Sequence, residues 1–149
     1  SRPAMEAGES LGFLPGDMQE KMAPYLRPLY DSLGDRMGGK KVRQFLEDGT
    51  IEIAPIGFMR GRTLNNAFVV IDEAQNCTYG QLKMILSRLG WHSTMVVTGD
   101  PDQSDLLEGV SGLAQISERL GALKNVAVCK LEQRDIVRHP LVAEMLDVL

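Results

Sequence analysis

Short apolar runs alternate with amphipathic segments along most of the chain. Three continuous β-rich runs, AFVVID (67–72), TMVVTGD (94–100) and VAVCKL (126–131), are typical of buried parallel strands. A fourth segment, TIEIAPIGF (50–58), alternates before it becomes apolar, and it also predicts a strand.

Apolar residues at helical spacing fill the intervals between these runs. Residues 17–33 show this spacing, although Pro24 and Pro28 predict kinked or broken helices there. A linker is predicted over 34–39, and further helices over 40–49, 78–90 (Thr78 as N-cap), 111–121 and 139–149 (Pro140 in the first turn). The alternation of strands with helices predicts an α/β fold with an open, mainly parallel sheet flanked by helices.

Two of the predicted strands end in acidic residues, in VVIDEA and VVTGDPDQ. Ligands of open parallel sheets bind beyond the carboxyl ends of the strands, so these side chains are expected to converge on one rim: Asp72, Glu73, Thr98, Asp100 and Gln103. Clustered carboxylates repel one another, and a divalent cation relieves the repulsion. The pattern therefore predicts Mg²⁺ at Asp72 and Glu73, with Asp72 acting through water and Glu73 polarising an attacking water.

A plainer interpretation of both motifs stays open at this point. The Asp72-Glu73 pair could cap the following helix, and Gly-Asp-Pro is a turn signature in its own right. The occurrence of both motifs at the ends of successive strands favours the catalytic interpretation.

Length and composition are those of an ordinary globular domain. The 149 residues, 44% of them hydrophobic, suit a single domain over 1–149. A net charge of −4 gives no general basic surface for nucleic acid, so any such contact needs a local patch. Cys77 and Cys129 lie far apart and near no histidine, which argues against zinc and is consistent with reduced thiols in a cytoplasmic protein. No apolar run is long enough to cross a membrane.

Several segments resemble the PhoH-like family of phosphate-starvation-inducible ATPases. They are RPAMEAGESLGFLPGD, IEIAPIGFMRGRTLNNAF, VVIDEAQN, MVVTGDPDQSDL and VRHPLV, which together cover nearly the whole chain. The resemblance implies a RecA-like P-loop NTPase core related to superfamily 1 helicases. It also implies ATP and Mg²⁺ as cofactors, single-stranded RNA as a partner, and a homo-oligomeric ring such as a hexamer.

The same resemblance implies roles for individual residues. Asp72 and Glu73 match the Walker B pair, and GDPDQ resembles helicase motif III, whose glutamine (here Gln103) senses the γ-phosphate, with Thr98 and Asp100 on the nucleotide side. The stretch LEQRDIVRHPL is similar to QYRMHP, whose arginine touches the γ-phosphate. The spacing differs by one residue, so the match leaves both Arg138 and Arg134 as candidates.

Other arginines have a functional and a plain interpretation. Arg60 and Arg62 in MRGRT could contact phosphate or RNA, or act as an arginine finger toward a neighbouring subunit; they could equally form a solvated basic turn. Arg2 and Glu6 match a segment similar to helicase motif Ia, which lines a nucleic-acid channel, or they lie in a surface loop.

One feature of the family is missing from these residues. No glycine here precedes Lys-Ser or Lys-Thr in the pattern G-x-x-x-x-G-K-[ST], the Walker A loop that supplies backbone N–H groups and a lysine to the β- and γ-phosphates. In the family this loop lies shortly upstream of the segment that corresponds to SRPAMEAGE. We therefore expect the fold to be incomplete at its N-terminal end and the isolated chain to bind ATP weakly or not at all.

Two further function classes compete with the ATPase. A non-catalytic module could use a P-loop-like shape to bind nucleotide or RNA, and the missing Walker A loop supports it. A two-metal nuclease is disfavoured because neither a histidine nor a third carboxylate lies beside Asp72 and Glu73 in the sequence.

Overall fold

The computed structural model describes residues 18–104, 106, 109, 111–135, 137 and 139–146. The chain divides into two compact units, Ser1–Ile116 and Ser117–Leu149. Seven helices and strands are described: α1 (Met18–Met37), α2 (Gly39–Glu47), β1 (Phe68–Ile71), α3 (Tyr79–Leu86), β2 (Thr94–Val97), α4 (Leu113–Leu120) and α5 (Pro140–Leu146).

The described part of the first unit begins with two packed helices, α1 and α2. We predicted kinked or broken helices at Pro24 and Pro28; the prediction of a break is wrong, because one helix runs from Met18 to Met37. A proline removes one backbone hydrogen bond from a helix, and this helix continues through both positions. The predicted linker over 34–39 shrinks to Gly38, whose φ of 84° is a conformation that side chains with a Cβ disfavour.

A β–α–β unit forms the centre of the first unit. Strands β1 and β2 are parallel, with Phe68 opposite Thr94 and Ile71 opposite Val97, and α3 connects them. Parallel neighbours need a crossover of this kind, and the result is a mixed α/β fold with a small open parallel sheet flanked by helices. The prediction of parallel strands over 67–72 and 94–100 is confirmed for these two.

Helix α3 begins after the N-cap Thr78, as predicted, and this cap is a capping box. The Thr78 hydroxyl accepts a hydrogen bond from the Gln81 N–H at 3.3 Å, and the Gln81 side chain accepts one from the Thr78 N–H at 2.8 Å. Two backbone N–H groups that the helix leaves unpaired are satisfied in this way. The cap fixes where α3 starts after the turn that follows β1.

The core of the first unit lies around β1, α3 and the turn between them. Its most deeply buried large side chains are Ile71, Leu82, Ile85 and Cys77. Burial of side chains this size contributes about 1.5–3 kcal/mol each to stability. The end of β1 is thus the most firmly packed part of the sheet.

Burial raises the pKa of the Cys77 thiol to about 11, whereas Cys129 is exposed. The fold favours the neutral thiol, so the contribution of Cys77 to stability is present below its ordinary pKa of 9.0 and is lost as the pH rises through about 11. At pH 8 we expect iodoacetamide to alkylate Cys77 at least about 100-fold more slowly than Cys129, since only thiolate reacts. Peptide-resolved mass spectrometry of the native full-length protein measures both rates, and the difference should vanish in urea. Equal native rates would contradict the buried position.

The predicted strand over 50–58 is wrong. Residues Ile56–Met59 form a single 3₁₀ turn, and Ala54, Ile56 and Met59 are buried. Pro55 cannot donate a hydrogen bond to a strand ladder, and it precedes the turn with extended backbone angles. The alternating pattern therefore reflects an irregular segment that packs its apolar side chains inward and contacts α3.

The sheet is buried on one face only. Phe68 is 72% exposed, and Val70 and Val96 on the same face are 39% and 37% exposed, whereas Ile71 is fully buried. The predicted burial of these strands is therefore found on one face only among the described residues. A continuous apolar run indicates that a strand can be buried. It does not show whether other elements pack on one face of the sheet or on both.

The second unit contains the end of α4, a 3₁₀ turn at Gln133–Asp135, and α5. The predicted strand over 126–131 is wrong: these residues are exposed and form no regular element. A strand needs a partner for its backbone N–H and C=O groups, and the described part of this unit supplies none. Pro140 is the first residue of α5, as predicted. Within the described residues, no helix combines the length and hydrophobicity that a bilayer crossing requires.

Candidate functional site

The carboxyl ends of β1 and β2 lie side by side. The Thr98 N–H donates to the Ile71 carbonyl at 2.8 Å, and the Ala74 N–H donates to the Thr98 carbonyl at 2.9 Å. The backbone pairing thus continues past both strands into the residues that follow. The predicted convergence of VVIDEA and VVTGDPDQ at one rim is confirmed.

Asp72 is tied to the neighbouring strand by its side chain. Its Oδ1 accepts a hydrogen bond of 2.9 Å from the Thr98 hydroxyl, and Asp72 is half-buried. This contact puts a carboxylate and a hydroxyl oxygen together at the rim, which are ligands of the hard type that Mg²⁺ prefers.

Glu73 has an unusual backbone conformation. Its φ and ψ are 57° and 38°, in the left-handed region that residues with a side chain seldom enter. The Ala74–Thr98 hydrogen bond and the 3₁₀ turn Ala74–Asn76 fix the peptide that follows it. Strained backbone of this kind costs about 1–3 kcal/mol and clusters at functional sites. Among the acids that the structure describes, Glu73 alone has this conformation, which Asn66 and His92 also adopt elsewhere in the chain.

Gln75 is a site residue that the sequence analysis missed. It is 4% exposed; its Nε2 donates to Glu73 Oε2 at 2.6 Å, and its Oε1 accepts from the Asp100 N–H at 3.1 Å. The amide nitrogen is therefore hydrogen-bonded to the residues after β1, and the amide oxygen to the residues after β2. The available signal was weak: an uncharged polar residue two positions after Glu73, where exposure would be expected.

The turn after β2 is organised by Asp100. Its two carboxylate oxygens accept from the Asp102 N–H at 3.0 Å and from Gln103 Nε2 at 2.7 Å. The Ser104 hydroxyl donates to the Gln75 carbonyl at 3.0 Å and so connects this turn back to the turn after β1. Asp100 and Gln103 are thus placed as a pair beside Asp72 and Glu73.

The arginines of MRGRT lie elsewhere in the first unit. The Arg62 carbonyl accepts from Arg88 Nη1 at 3.2 Å, and Leu64 pairs with Leu89 just after α3. Since α3 returns the chain toward the start of β2, this segment lies near the amino ends of the strands. Arg60 and Arg62 are therefore not brought to the acidic rim of their own chain.

Arg62 is already engaged by a carboxylate. Its two terminal nitrogens donate to the two oxygens of Glu52, at 2.8 Å for Nη2, and this hydrogen bonding lowers the pKa of Glu52 and raises that of Arg62. The pair is largely exposed, so it adds at most about 1 kcal/mol to stability. Arg60 is also exposed. Contact of either arginine with a phosphate stays a prediction.

Arg134 belongs to the second unit. It is exposed, and its Nε lies 3.1 Å from the carboxylate of Glu132. Arg138, Arg2 and Glu6 lie outside the described residues. The roles that the family resemblance implies for these four residues stay predictions.

A near match to a phosphate-binding loop occurs at Gly34–Lys41, which spells G-x-x-x-x-G-K-K. It has lysine where that loop needs a hydroxyl. It also joins α1 to α2, whereas a phosphate loop joins a strand to a helix. The segment is therefore a helix–helix connection and supplies no phosphate cradle.

No group of three or more His, Cys, Asp or Glu side chains within the described residues is arranged to hold a metal ion. Among the described residues, the rim therefore lacks the three or more ligands that would hold a metal ion by protein side chains alone. One or two carboxylates with water and substrate oxygens remain possible, which is how Mg²⁺ usually binds beside a phosphate. Chemically, the rim offers an Asp–Thr pair, a glutamate with fixed backbone, and two amides.

Comparison with known proteins agrees with the resemblance. The family described as "PhoH-like protein" matches residues 1–149. Over 148 residues the chain is 55% identical to a PhoH-like protein of Bacillus subtilis and 52% identical to one of Mycobacterium tuberculosis, covering 99% of this chain but 46% and 42% of those proteins. It is 49% identical over 144 residues to Protein PhoH of Escherichia coli, covering 95% of this chain and 41% of that protein. The chain spans less than half the length of these relatives. A match over its whole length shows that it belongs to the PhoH-like family.

Proposed function

We propose that this chain carries the catalytic rim of a Mg²⁺-dependent ATPase with a RecA-like P-loop NTPase core. The observation that carries the proposal is the joined end of β1 and β2. There the Asp72 carboxylate is bonded to Thr98, and Glu73 is fixed in a left-handed conformation beside it. Acids in this position, beyond adjacent parallel strands, suit a bound triphosphate.

The residues present fit a magnesium ion. Asp72 and Thr98 would hold it through water, with Glu73 beside it, while substrate phosphates complete its coordination. Mg²⁺, when bound, supplies positive charge that offsets the negative charge of the β- and γ-phosphates. This arrangement agrees with a rim that needs no third carboxylate.

Glu73 would act on the attacking water. Its carboxylate orients the water and accepts a proton as the water oxygen bonds to the γ-phosphorus; the bond from that phosphorus to the bridging oxygen breaks, and ADP leaves with the electron pair. Gln103 would contact the γ-phosphate from the turn after β2. Arg138, or Arg134, would add positive charge there, as the family resemblance implies.

The phosphate cradle has to come from residues beyond these 149. No G-x-x-x-x-G-K-[ST] occurs in the chain, and its near match at Gly34–Lys41 joins two helices. The proposal therefore concerns the full-length protein, in the cytoplasm, as a ring of identical subunits whose Arg60 or Arg62 could reach a neighbour. Coupling to single-stranded RNA is part of the proposal and is tested by adding RNA to the same assay.

The test is steady-state phosphate release by the full-length protein across a Mg²⁺ titration. We expect turnover that a chelator abolishes, and we expect Asp72→Asn to raise the Mg²⁺ concentration needed for half-maximal rate by about 10-fold or more. Asparagine can still accept the Thr98 hydrogen bond but has lost the charge.

Asp102→Asn is the matched control, because Asp102 is an exposed acid of the neighbouring turn whose backbone N–H, rather than its carboxylate, bonds to Asp100. We expect its Mg²⁺ requirement to equal that of the unaltered protein. Equal effects of both substitutions would refute a specific role for Asp72. Absence of turnover with and without RNA would favour a non-catalytic nucleotide- or RNA-binding module.

A further inference from the structure

Gln75 connects the two halves of the acidic rim. Its amide nitrogen contacts Glu73 at the end of β1, and its amide oxygen contacts the Asp100 backbone at the start of the turn after β2. The carboxylate of Glu73 can only accept a hydrogen bond, so it must face the amide nitrogen. The Asp100 N–H can only donate one, so it must face the amide oxygen. The orientation of the amide is thereby determined by its neighbours.

The surroundings of Gln75 are shaped for this amide. A Cβ placed on Gly99 would lie 2.6 Å from Gln75 Oε1 and 3.0 Å from its backbone nitrogen. The Gln75 carbonyl is occupied as well, by the Ser104 hydroxyl at 3.0 Å. Side chain and backbone of one buried residue thus contact three points on the turns that flank the rim.

We infer that Gln75 is a positioning residue that sets the Glu73 carboxylate relative to the Asp100–Gln103 turn. The inference rests on the proposed function, in which Glu73 acts on water and Gln103 contacts the γ-phosphate. Glu73 is flexible beyond its Cα, and the 2.6 Å hydrogen bond restricts where its carboxylate points. The Asp100 carboxylate also accepts a hydrogen bond from Gln103. The Gln75 amide therefore fixes the position of Glu73 relative to Gln103, the two candidate catalytic side chains.

Two substitutions separate the two contacts of the amide. Gln75→Met has similar size and removes both hydrogen bonds. Gln75→Glu keeps an acceptor for the Asp100 N–H but puts a carboxylate against the carboxylate of Glu73. If positioning of Glu73 matters, both variants of the full-length protein should lose kcat by about 10- to 100-fold, as expected for a displaced catalytic group, with ATP affinity unchanged.

A double-mutant cycle distinguishes positioning from general support of the fold. In a Glu73→Gln background, Gln75→Met should cause no further loss of kcat, because the group it positions is already gone. A merely structural role would lower the remaining rate by the same factor in both backgrounds. Gly99→Ala provides a second route, since it leaves Gln75 chemically intact but displaces its amide, and the same pattern is expected.

The outcomes separate this inference from the proposed function. If the unaltered protein hydrolyses ATP and Glu73→Gln stops it, but all Gln75 and Gly99 variants keep full kcat, the inference is wrong and the ATPase proposal stands. Intact kcat in Gln75→Glu with a loss in Gln75→Met would also overturn it, by showing that only the Asp100 contact counts. If the unaltered protein has no turnover, the proposed function fails and the inference falls with it.

Discussion

Replacing Glu73 with glutamine in the full-length protein is expected to lower ATP turnover by about 100-fold or more and to leave ATP affinity unchanged. The substitution removes the negative charge and the basic oxygen that orient the attacking water, which matter mainly in the transition state. It preserves shape: the carbonyl of a glutamine at 73 can still accept the hydrogen bond from Gln75 Nε2.

Single-turnover phosphate release and equilibrium binding of labelled ATP measure the two effects separately. Glu47→Gln serves as control, because this exposed acid at the end of α2 is remote in sequence from both strand ends, and we expect it to change neither quantity. Unchanged turnover in Glu73→Gln would show that Glu73 does not act on water, and the unusual backbone at this residue would need another explanation. Lost ATP affinity would instead assign Glu73 to nucleotide binding.

The local parts of this fold could be predicted from the sequence. The apolar runs of β1 and β2 are short, end in acids and flank an amphipathic helix, and the predicted N-cap Thr78 caps α3 in the structure. Such features depend on neighbours within a few residues. The juxtaposition of Asp72 with Thr98 followed from one further rule, the side-by-side carboxyl ends of parallel strands.

The errors concern features that depend on distant partners. Segment 126–131 has the composition of a strand but no strand partner in the described residues, and residues 50–58 place apolar side chains inward without a ladder. The two prolines of α1 are a local exception, since they remove hydrogen bonds without ending the helix. The composition of a segment shows which kind of element it suits. Whether it forms a strand depends on a neighbouring strand that pairs with its backbone N–H and C=O groups.

The same distinction applies to the site. Gln75 escaped notice because its burial comes from Gly99, Asp100 and Ser104, which lie more than 20 positions along the chain. The left-handed conformation of Glu73 likewise follows from the Ala74–Thr98 contact. Residue type alone therefore identified the acids, while the residue that relates them became visible only with the neighbouring strand in place.

Gly112→Ala is expected to destabilise the protein by about 3 kcal/mol, the upper range for overpacking. A Cβ at this position would overlap the Tyr79 N and Cα and lie 2.9 Å from the Thr78 carbonyl carbon. All three are backbone atoms at the start of α3, so rotation of a side chain cannot relieve the overlap. The Gly112 N–H also donates to the Cys77 carbonyl at 3.0 Å, and this contact would be strained as the two segments separate.

Gly80→Ala is the matched control, since its nearest neighbour would be the Thr78 hydroxyl at an ordinary 3.9 Å. Alanine suits a helix better than glycine, so this variant should gain up to about 1 kcal/mol. Urea unfolding of the full-length protein, followed by circular dichroism, should therefore move the two midpoints in opposite directions. A Gly112→Ala midpoint equal to that of the unaltered protein would show that the chain after the Asp100–Gln103 turn does not pack on α3. If it does pack there, the chain that follows the turn is held at the Cys77 carbonyl by Gly112, and loosening that contact should also lower turnover.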